Sequence, residues 1–138
     1  MFEKIVLAFD GSAQSEAAFL VALEVAQRFG SALLVVSVVR VAEPGTRVEL
    51  EAVVEAGQGH FAEEHRRLAL LARERGVSFA AEVDVGHPAE HVMRAAEAVG
   101  AGLIVVGRRG RNTFERLLLG SVSERILRFA HCPVLVVH

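Results

Sequence analysis

The sequence contains almost no lysine and almost no cysteine, and each scarcity excludes a class of chemistry. Of its 15 basic residues only Lys4 is a lysine, so no lysine away from the N-terminus can grip a phosphate or form a Schiff base. Cys132 is the single cysteine. An intramolecular disulfide is therefore excluded, which agrees with a reducing compartment.

Long apolar runs and an excess of charge are also absent. The longest uncharged apolar stretches, Phe29–Val39 and Ala98–Gly107, fall well short of the roughly 18 residues that a membrane span needs. Fifteen basic against 17 acidic residues give a net charge of −2, which offers nucleic acid no basic field. No signal peptide precedes the first strand pattern. We therefore expect a soluble cytoplasmic protein with neither a membrane nor a nucleic-acid partner.

The length and the apolar content of the chain predict a single domain, residues 1–138. More than half of the chain, 52%, is apolar and can fill a substantial single core. Continuous Val, Ile and Leu runs are typical of strands covered on both faces, as in a parallel sheet between helices. The predicted strands are Ile5–Phe9, Ala32–Val39, Ser78–Val85, Leu103–Val106 and Val134–Val137.

Helical patterns separate these strands. The predicted helices run from Ser12 or Ser15 to Phe29, and over Glu49–Arg75, Pro88–Val99 and Ser121–Ala130. Gly57 and Gly59 predict a break or bend in the second helix. This alternation predicts an α/β fold with a single doubly wound, five-stranded parallel sheet. Its strand order is 3-2-1-4-5, and helices cover both faces.

A glycine-punctuated loop follows the fourth strand. Gly107 is followed by Gly110 and, after nine residues, by Gly120-Ser121 at a predicted helix start. Glycines let backbone N–H groups approach an anion, and a helix N-terminus adds donors and a partial positive charge. The loop therefore suits a polyphosphate, although the glycines are equally consistent with plain turns.

Asp10 is expected on the same crevice. In an open sheet of this order, ligands bind beyond the carboxyl ends of the first and fourth strands, where the strand order reverses. Asp10 directly follows the first strand, and its carboxylate can accept hydrogen bonds from ribose hydroxyls. The alternative is a helix-capping role for Asp10.

Together these motifs resemble those of the universal stress protein family, over residues 2–138. The matching segments are Asp10-Gly11-Ser12, Gly86-His87-Pro88-Ala89-Glu90, Gly107-x2-Gly110-x9-Gly120-Ser121 and Cys132-Pro133-Val134-Leu135-Val136-Val137. The glycine pattern marks the branch of that family that binds ATP. The resemblance implies the adenine nucleotide alpha hydrolase-like variety of the α/β fold.

The resemblance also implies roles for individual residues. Ala8, Phe9 and Asp10 would hold the adenosine, with Asp10 on the ribose, and the Val38 backbone would contact the adenine edge. The ribose and phosphates would be bordered by Gly107, Arg109 and Gly110. Donors to the phosphate tail would come from Gly120, Ser121, Val122 and Ser123. The expected cofactor is ATP, with Mg²⁺ or Mn²⁺ held through the phosphates, and a homodimer is expected through Val134–Val137.

Some positions depart from the family pattern. Many relatives have proline at position 8 and a small residue at position 9, so Phe9 would narrow the adenosine side. Arg108, Arg109 and Arg111 make the glycine loop basic. We expect one of these arginines, Arg109 first, to contact phosphate.

Other suggestive strings are assigned no ligand. Gly57–Ala62 matches GxGxxG/A but follows a helical stretch, the wrong context for a dinucleotide fingerprint. His87–His91 matches HxxEH, yet Pro88 places His87 outside regular helix, and no metal site is expected. His60 and His65 are interpreted as exposed helix residues, and Cys132 as a small, at least partly buried apolar residue.

No catalytic residue is assigned. Phosphoryl transfer requires a base that positions the nucleophile, and the sequence offers no obvious candidate. The expected function is an ATP-binding sensor or switch of the stress response, whose bound state alters the 40–47 loop or a dimer partner. The alternatives are a slow ATPase or autophosphorylating protein, modified on Ser121 or Ser123, and a nucleotide-free dimeric module that binds a partner.

Overall fold

Strands and helices alternate along the whole described chain. The computed structural model describes residues 1–41, 45–108 and 120–138. Its elements are β1 (Lys4–Ala8), α1 (Ala13–Phe29), β2 (Ala32–Val39), α2 (Arg47–Glu74), β3 (Ser78–Val85), α3 (Pro88–Val99), β4 (Leu103–Gly107), α4 (Ser121–Phe129) and β5 (Val134–Val137). None of the helices in these three ranges is long and apolar enough to cross a membrane.

The five strands form one parallel sheet in the order β3-β2-β1-β4-β5. Val6 at the centre of β1 is paired with Leu34 of β2 on one side and with Ile104 of β4 on the other. The predicted order 3-2-1-4-5 is therefore confirmed. The first three strands extend the sheet to one side of β1, and the last two extend it to the other side. The strand order therefore reverses between β1 and β4, and a crevice opens there at the carboxyl ends of both strands.

Each face of the sheet has its own core, because successive side chains of a strand point to opposite faces. One core packs α1 and α2 on Ile5, Leu7, Phe9, Leu33, Val35, Leu103 and Val105. The other packs α3 and α4 on Val6, Val36, Val38, Ile104 and Val106. Cys132 is partly buried against the second core, as predicted. Helices on both faces confirm the doubly wound architecture.

Local capping fixes where the helices begin. Ser12 caps α1, its Oγ accepting a hydrogen bond from the Ser15 N–H at 3.2 Å. The second helix begins two residues before the predicted Glu49, because Thr46 and Glu49 form a reciprocal capping box. Pro88 occupies the first turn of α3, as predicted.

The predicted break in α2 is wrong, because the helix is continuous from Arg47 to Glu74. A Cβ built on Gly57 would lie 2.8 Å from Cγ2 of Val39, whereas one built on Gly59 would meet nothing within 4 Å. Gly57 therefore lets the helix approach the end of β2 closely. It is a packing residue and does not interrupt the helix.

The two edges of the sheet differ in charge. The edge strand β3 carries Glu82 and Asp84, which are paired with Val36 and Val38 and therefore lie on the α3 face. Burial, and then the charge of Asp84, raise the pKa of Glu82. The opposite edge, β5, has the uncharged sequence Val-Leu-Val-Val, each residue partly buried.

Alanine substitutions distinguish the two glycines of α2. We expect Gly57→Ala to lower the free energy of unfolding by about 1–3 kcal/mol, because the new methyl group overpacks the contact with Val39. Gly59→Ala should raise it by up to about 1 kcal/mol, because alanine favours the helix. Urea denaturation measures both values. Stabilisation by both substitutions would contradict the close contact at Gly57.

Candidate functional site

A cavity of about 480 Å³ opens at the carboxyl ends of β1 and β4. This volume lies in the range of small-molecule sites, about 300–1,000 Å³. Its lining comes from β1, β2, β4 and the first turns of three helices, together with one residue of α2. The lining residues are Ala8, Phe9, Asp10, Gly11, Ser12, Gln14, Ser15, Val36, Val38, Val39, Arg40, Phe61, Pro88, Val92, Val106, Gly107, Gly120, Val122 and Ser123.

Most of the predicted site residues meet at this cavity. Those that line it are Ala8, Phe9, Asp10, Val38, Gly107, Gly120, Val122 and Ser123. Ser121 is exposed and is not part of the lining. Arg109, Gly110 and Arg111, like positions 42–44 of the predicted 40–47 loop, lie outside the described residues.

The turn from β1 into α1 forms one wall. Asp10 accepts a hydrogen bond on Oδ1 from the Ser12 N–H at 2.9 Å, an Asx turn. Gly11 has φ +84°, which few residues other than glycine adopt without strain. The carboxylate of Asp10 therefore shapes the turn before α1 while it also lines the cavity, and the helix cap itself is Ser12.

Gly107 closes the opposite side of this turn. A Cβ on Gly107 would lie 2.5 Å from the Gln14 carbonyl oxygen and 3.0 Å from the Ser15 nitrogen. Because these are backbone atoms of α1, no side-chain rotation can relieve the overlap. The glycine brings the first turn of α1 against the end of β4, a packing requirement that the motif alone did not reveal.

The start of α4 supplies a third wall. Gly120 is its N-cap, and no side chain in the described ranges makes a capping hydrogen bond there. Ser123 is buried, and its hydroxyl donates to the Gly120 carbonyl oxygen at 3.0 Å. The first turns of α1 and α4 thus both face the cavity and bring their partial positive charge to it.

Phe61, from the middle of α2, covers the cavity beside β2 and was not predicted. Its side chain is 9% exposed and lines the cavity. The buried residues of α2 are Phe61, His65, Leu68 and Ala72, spaced by four, three and four residues. This helical periodicity was visible in the sequence and was the available signal.

His65 was interpreted as exposed, and this prediction is wrong. Five residues of helix correspond to about 140° of rotation, so His60 stays exposed while His65 points inward at 7% exposure. The His65 Nε2 atom lies 2.8 Å from Oγ of Ser37, and the Ser37 hydroxyl donates to the Phe9 carbonyl oxygen at 2.6 Å. Burial lowers the pKa of His65, against a smaller opposite effect of the Glu64 carboxylate.

The side chains of the HxxEH string have separate partners. Glu90 forms an ion pair with Arg125 of α4, and His91 Nδ1 lies 3.9 Å from Oδ2 of Asp84. Nowhere in the described ranges do three or more His, Cys, Asp or Glu side chains form a group that could hold a metal ion. The string therefore connects α3 to its neighbours.

Comparison with known proteins gives a consistent result. The family model described as the universal stress protein family matches residues 1–138. A universal stress protein of Methanocaldococcus jannaschii is 38% identical, over 99% of this chain and 82% of that protein. The solved structure of UspA from Lactobacillus plantarum has a TM-score of 0.87 at 24% identity, covering 100% of this chain and 99% of its own. A universal stress protein in complex with cAMP has a TM-score of 0.76 at 26% identity, covering 99% and 97%.

The buried His65 predicts a pH-dependent stability. Because its pKa is lower in the folded than in the unfolded chain, the unfolded chain binds more protons between the two values. The contribution of His65 to the free energy of unfolding is therefore fully present above its pKa in the unfolded chain, about 6.5. It is lost as the pH falls toward the lower pKa that His65 has in the folded chain. Urea denaturation across this window should show a smaller loss in His65→Gln than in the wild type.

His60→Gln is the matched control on the same helix. His60 is exposed, so this variant should keep the pH dependence of the wild type. If His65→Gln loses stability on acidification as steeply as the wild type does, His65 does not titrate with a lowered pKa.

Proposed function

The chain belongs to the universal stress protein family. We propose that its cavity binds an adenine nucleotide, ATP first. The protein would then act as a cytoplasmic sensor or switch of the stress response. The observation that carries this proposal is the cavity of about 480 Å³ at the reversal of strand order, with two helix N-termini facing it. The cAMP complex of a similar family member supports the choice of an adenine nucleotide.

The polarity of the lining suggests how the nucleotide lies. Val36, Val38 and Phe61 give the side next to β2 an apolar surface, which suits a purine ring. Asp10 lies between this surface and the helix starts, where its carboxylate can accept hydrogen bonds from ribose hydroxyls. The phosphates then extend toward the first turn of α4.

Backbone groups are the phosphate donors in this arrangement. The Ser123 hydroxyl already donates to the Gly120 carbonyl oxygen, so its single proton is not directed at a ligand. The N–H groups of the first turn of α4 have no side-chain cap in the described part of the chain. Such groups are the usual anion-binding donors of a helix start.

A divalent ion fits this site as part of the nucleotide. Asp10 is the sole carboxylate among the described lining residues, and it also accepts from the Ser12 N–H. Mg²⁺ keeps several waters and binds one or two carboxylates together with substrate phosphates. The donor set therefore suits Mg²⁺ or Mn²⁺ carried on the phosphates, where the ion would neutralise their charge.

Calorimetric titration with ATP and Mg²⁺ tests the proposal. We expect binding by the wild type, and a weakening of about tenfold to a hundredfold in Asp10→Ala, the loss of a hydrogen bond to a charged group. Asp10→Asn keeps an acceptor for the Ser12 N–H but not the charge. It should therefore fold like the wild type and still bind more weakly.

Asp84→Asn is the matched control, because Asp84 is the other aspartate of the chain and does not line the cavity. Its affinity should equal that of the wild type. No heat of binding from the wild type at millimolar ATP would overturn the proposed function.

The hydrogen bonds of β5 support a homodimer, which we propose to form through this strand. The Ile104 N–H donates to the Pro133 oxygen and the Arg108 N–H to the Val137 oxygen. Since backbone groups alternate along a strand, Val134 and Val136 direct theirs away from β4. A second copy of this apolar strand can pair with them about a two-fold axis.

Proline at position 136 tests this interface. Val136→Pro removes an outward N–H and leaves the bonds to β4, so sedimentation should show conversion from dimer to monomer. The matched control is Ala81→Pro on β3. The Gly86 N–H donates to the Val39 oxygen, so by alternation the Ala81 N–H also points away from the sheet. This control should remain dimeric, and a monomeric wild type would contradict the interface.

A further inference from the structure

We propose that His65 is a positioning residue of the cavity: its ring holds the end of β1 through Ser37 and contacts Phe9 and Phe61, so that a charge added at Nδ1 in this buried position shifts the turn at Asp10 and weakens nucleotide binding. The effect on affinity rests on the proposed function, whereas the effect on the turn does not. His65 does not line the cavity, so it acts through the residues it contacts.

The hydrogen bonds assign the proton on the imidazole. A carbonyl oxygen can only accept, so the Ser37 hydroxyl uses its single proton on the Phe9 oxygen, at 2.6 Å. The oxygen of Ser37 must then accept from His65, whose Nε2 lies 2.8 Å away. Nε2 is therefore the protonated nitrogen of the neutral ring.

This chain of hydrogen bonds ends where β1 enters the site. Phe9 donates its N–H to the Val36 oxygen at 2.9 Å and accepts from Ser37 through its own oxygen. Both backbone groups of Phe9 are thus attached to β2. Asp10, the next residue, bends toward α1, so any movement of the Phe9 carbonyl is passed directly to Asp10.

The ring of His65 also connects two aromatic walls of the cavity. Its centroid lies 6.2 Å from that of Phe61, nearly parallel at 24°, and 6.4 Å from that of Phe9. Phe61 belongs to α2 and Phe9 follows β1, and both line the cavity. His65 therefore ties the position of α2 to that of the β1–α1 turn.

Among the described residues, no carboxylate serves as a dedicated counterion for a charged ring. On α2 itself, Glu64 favours the charged form, but Glu64 is paired with Arg67 at 2.7 Å. Glu16, the acidic residue that α1 presents here, is paired with Arg67 too. From β1 and β2 the ring meets Phe9 and Ser37.

The strand β3 also borders α2, but it directs its carboxylates Glu82 and Asp84 to the opposite face of the sheet. Burial is the larger influence on the imidazole and lowers its pKa. The ring is therefore neutral at neutral pH. A proton added on acidification places a charge between two phenyl rings, which favours rearrangement around Phe9 and Phe61.

Two variants of His65 distinguish a role in positioning β1 through the hydrogen bond to Ser37 from a role in core packing alone. His65→Gln retains an N–H donor for Ser37 and does not titrate, so at neutral pH its affinity for ATP should stay close to that of the wild type. His65→Phe keeps the ring but loses the donor, and should bind about fivefold more weakly, the equivalent of one hydrogen bond. His131→Gln is the control, because His131 is exposed and does not line the cavity.

The test combines proton-nitrogen NMR of the ligand-free protein with calorimetry using ATP and Mg²⁺. The ring spectrum should show His65 neutral at neutral pH with its proton on Nε2, and the Asp10 amide signal should shift as His65 titrates. One pH unit below the pKa so measured, the wild type should bind ATP about tenfold more weakly. His65→Gln, measured in parallel, accounts for titration of the nucleotide itself.

Three results would each overturn the inference. The first is a neutral ring with its proton on Nδ1, and the second is a charged ring at neutral pH. The third is an affinity for ATP that depends on pH equally in the wild type and in His65→Gln. If the wild type binds no nucleotide, the proposed function fails and the Asp10 amide decides the coupling. A shift of that signal with His65 protonation sustains the positioning role, and an unchanged signal overturns it.

Discussion

The close approach of α1 to the end of β4 is the contact on which the rest of the site depends. At Gly107 the sheet has no Cβ, and backbone atoms of Gln14 and Ser15 occupy the space. This contact fixes the N-terminus of α1 beside β4, at the reversal of strand order. The cavity is the gap left between this helix start and that of α4.

Fold and site therefore share residues. Asp10 accepts the Ser12 N–H that shapes the turn, and Gly107 admits α1, yet both also line the cavity. The fold alone therefore gives a reason for Asp10 and Gly107 at these positions, whether or not a ligand binds. This double use explains why a structural role and a ligand-binding role for Asp10 could not be separated from the sequence.

The strands were predictable nearly to the residue, because continuous Val, Ile and Leu runs reflect burial on both faces. The strand-end residues of the site followed from a topological rule. Phe61 and His65 were missed although the helical spacing that they share with Leu68 and Ala72 was visible, because that spacing gives a buried face but not the part of the sheet that the helix covers. The start of α2 was missed because a capping box, formed by Thr46 and Glu49, extends it.

The unequal edges of the sheet limit how copies of this protein can join. Glu82 and Asp84 place two carboxylates on β3, and inward-pointing charge on an edge strand discourages the addition of a further strand. The β5 edge carries no such charge. Growth is thus blocked at the β3 end of the sheet, so the association that we propose through β5 would be self-limiting and would give a closed assembly instead of an open fibril.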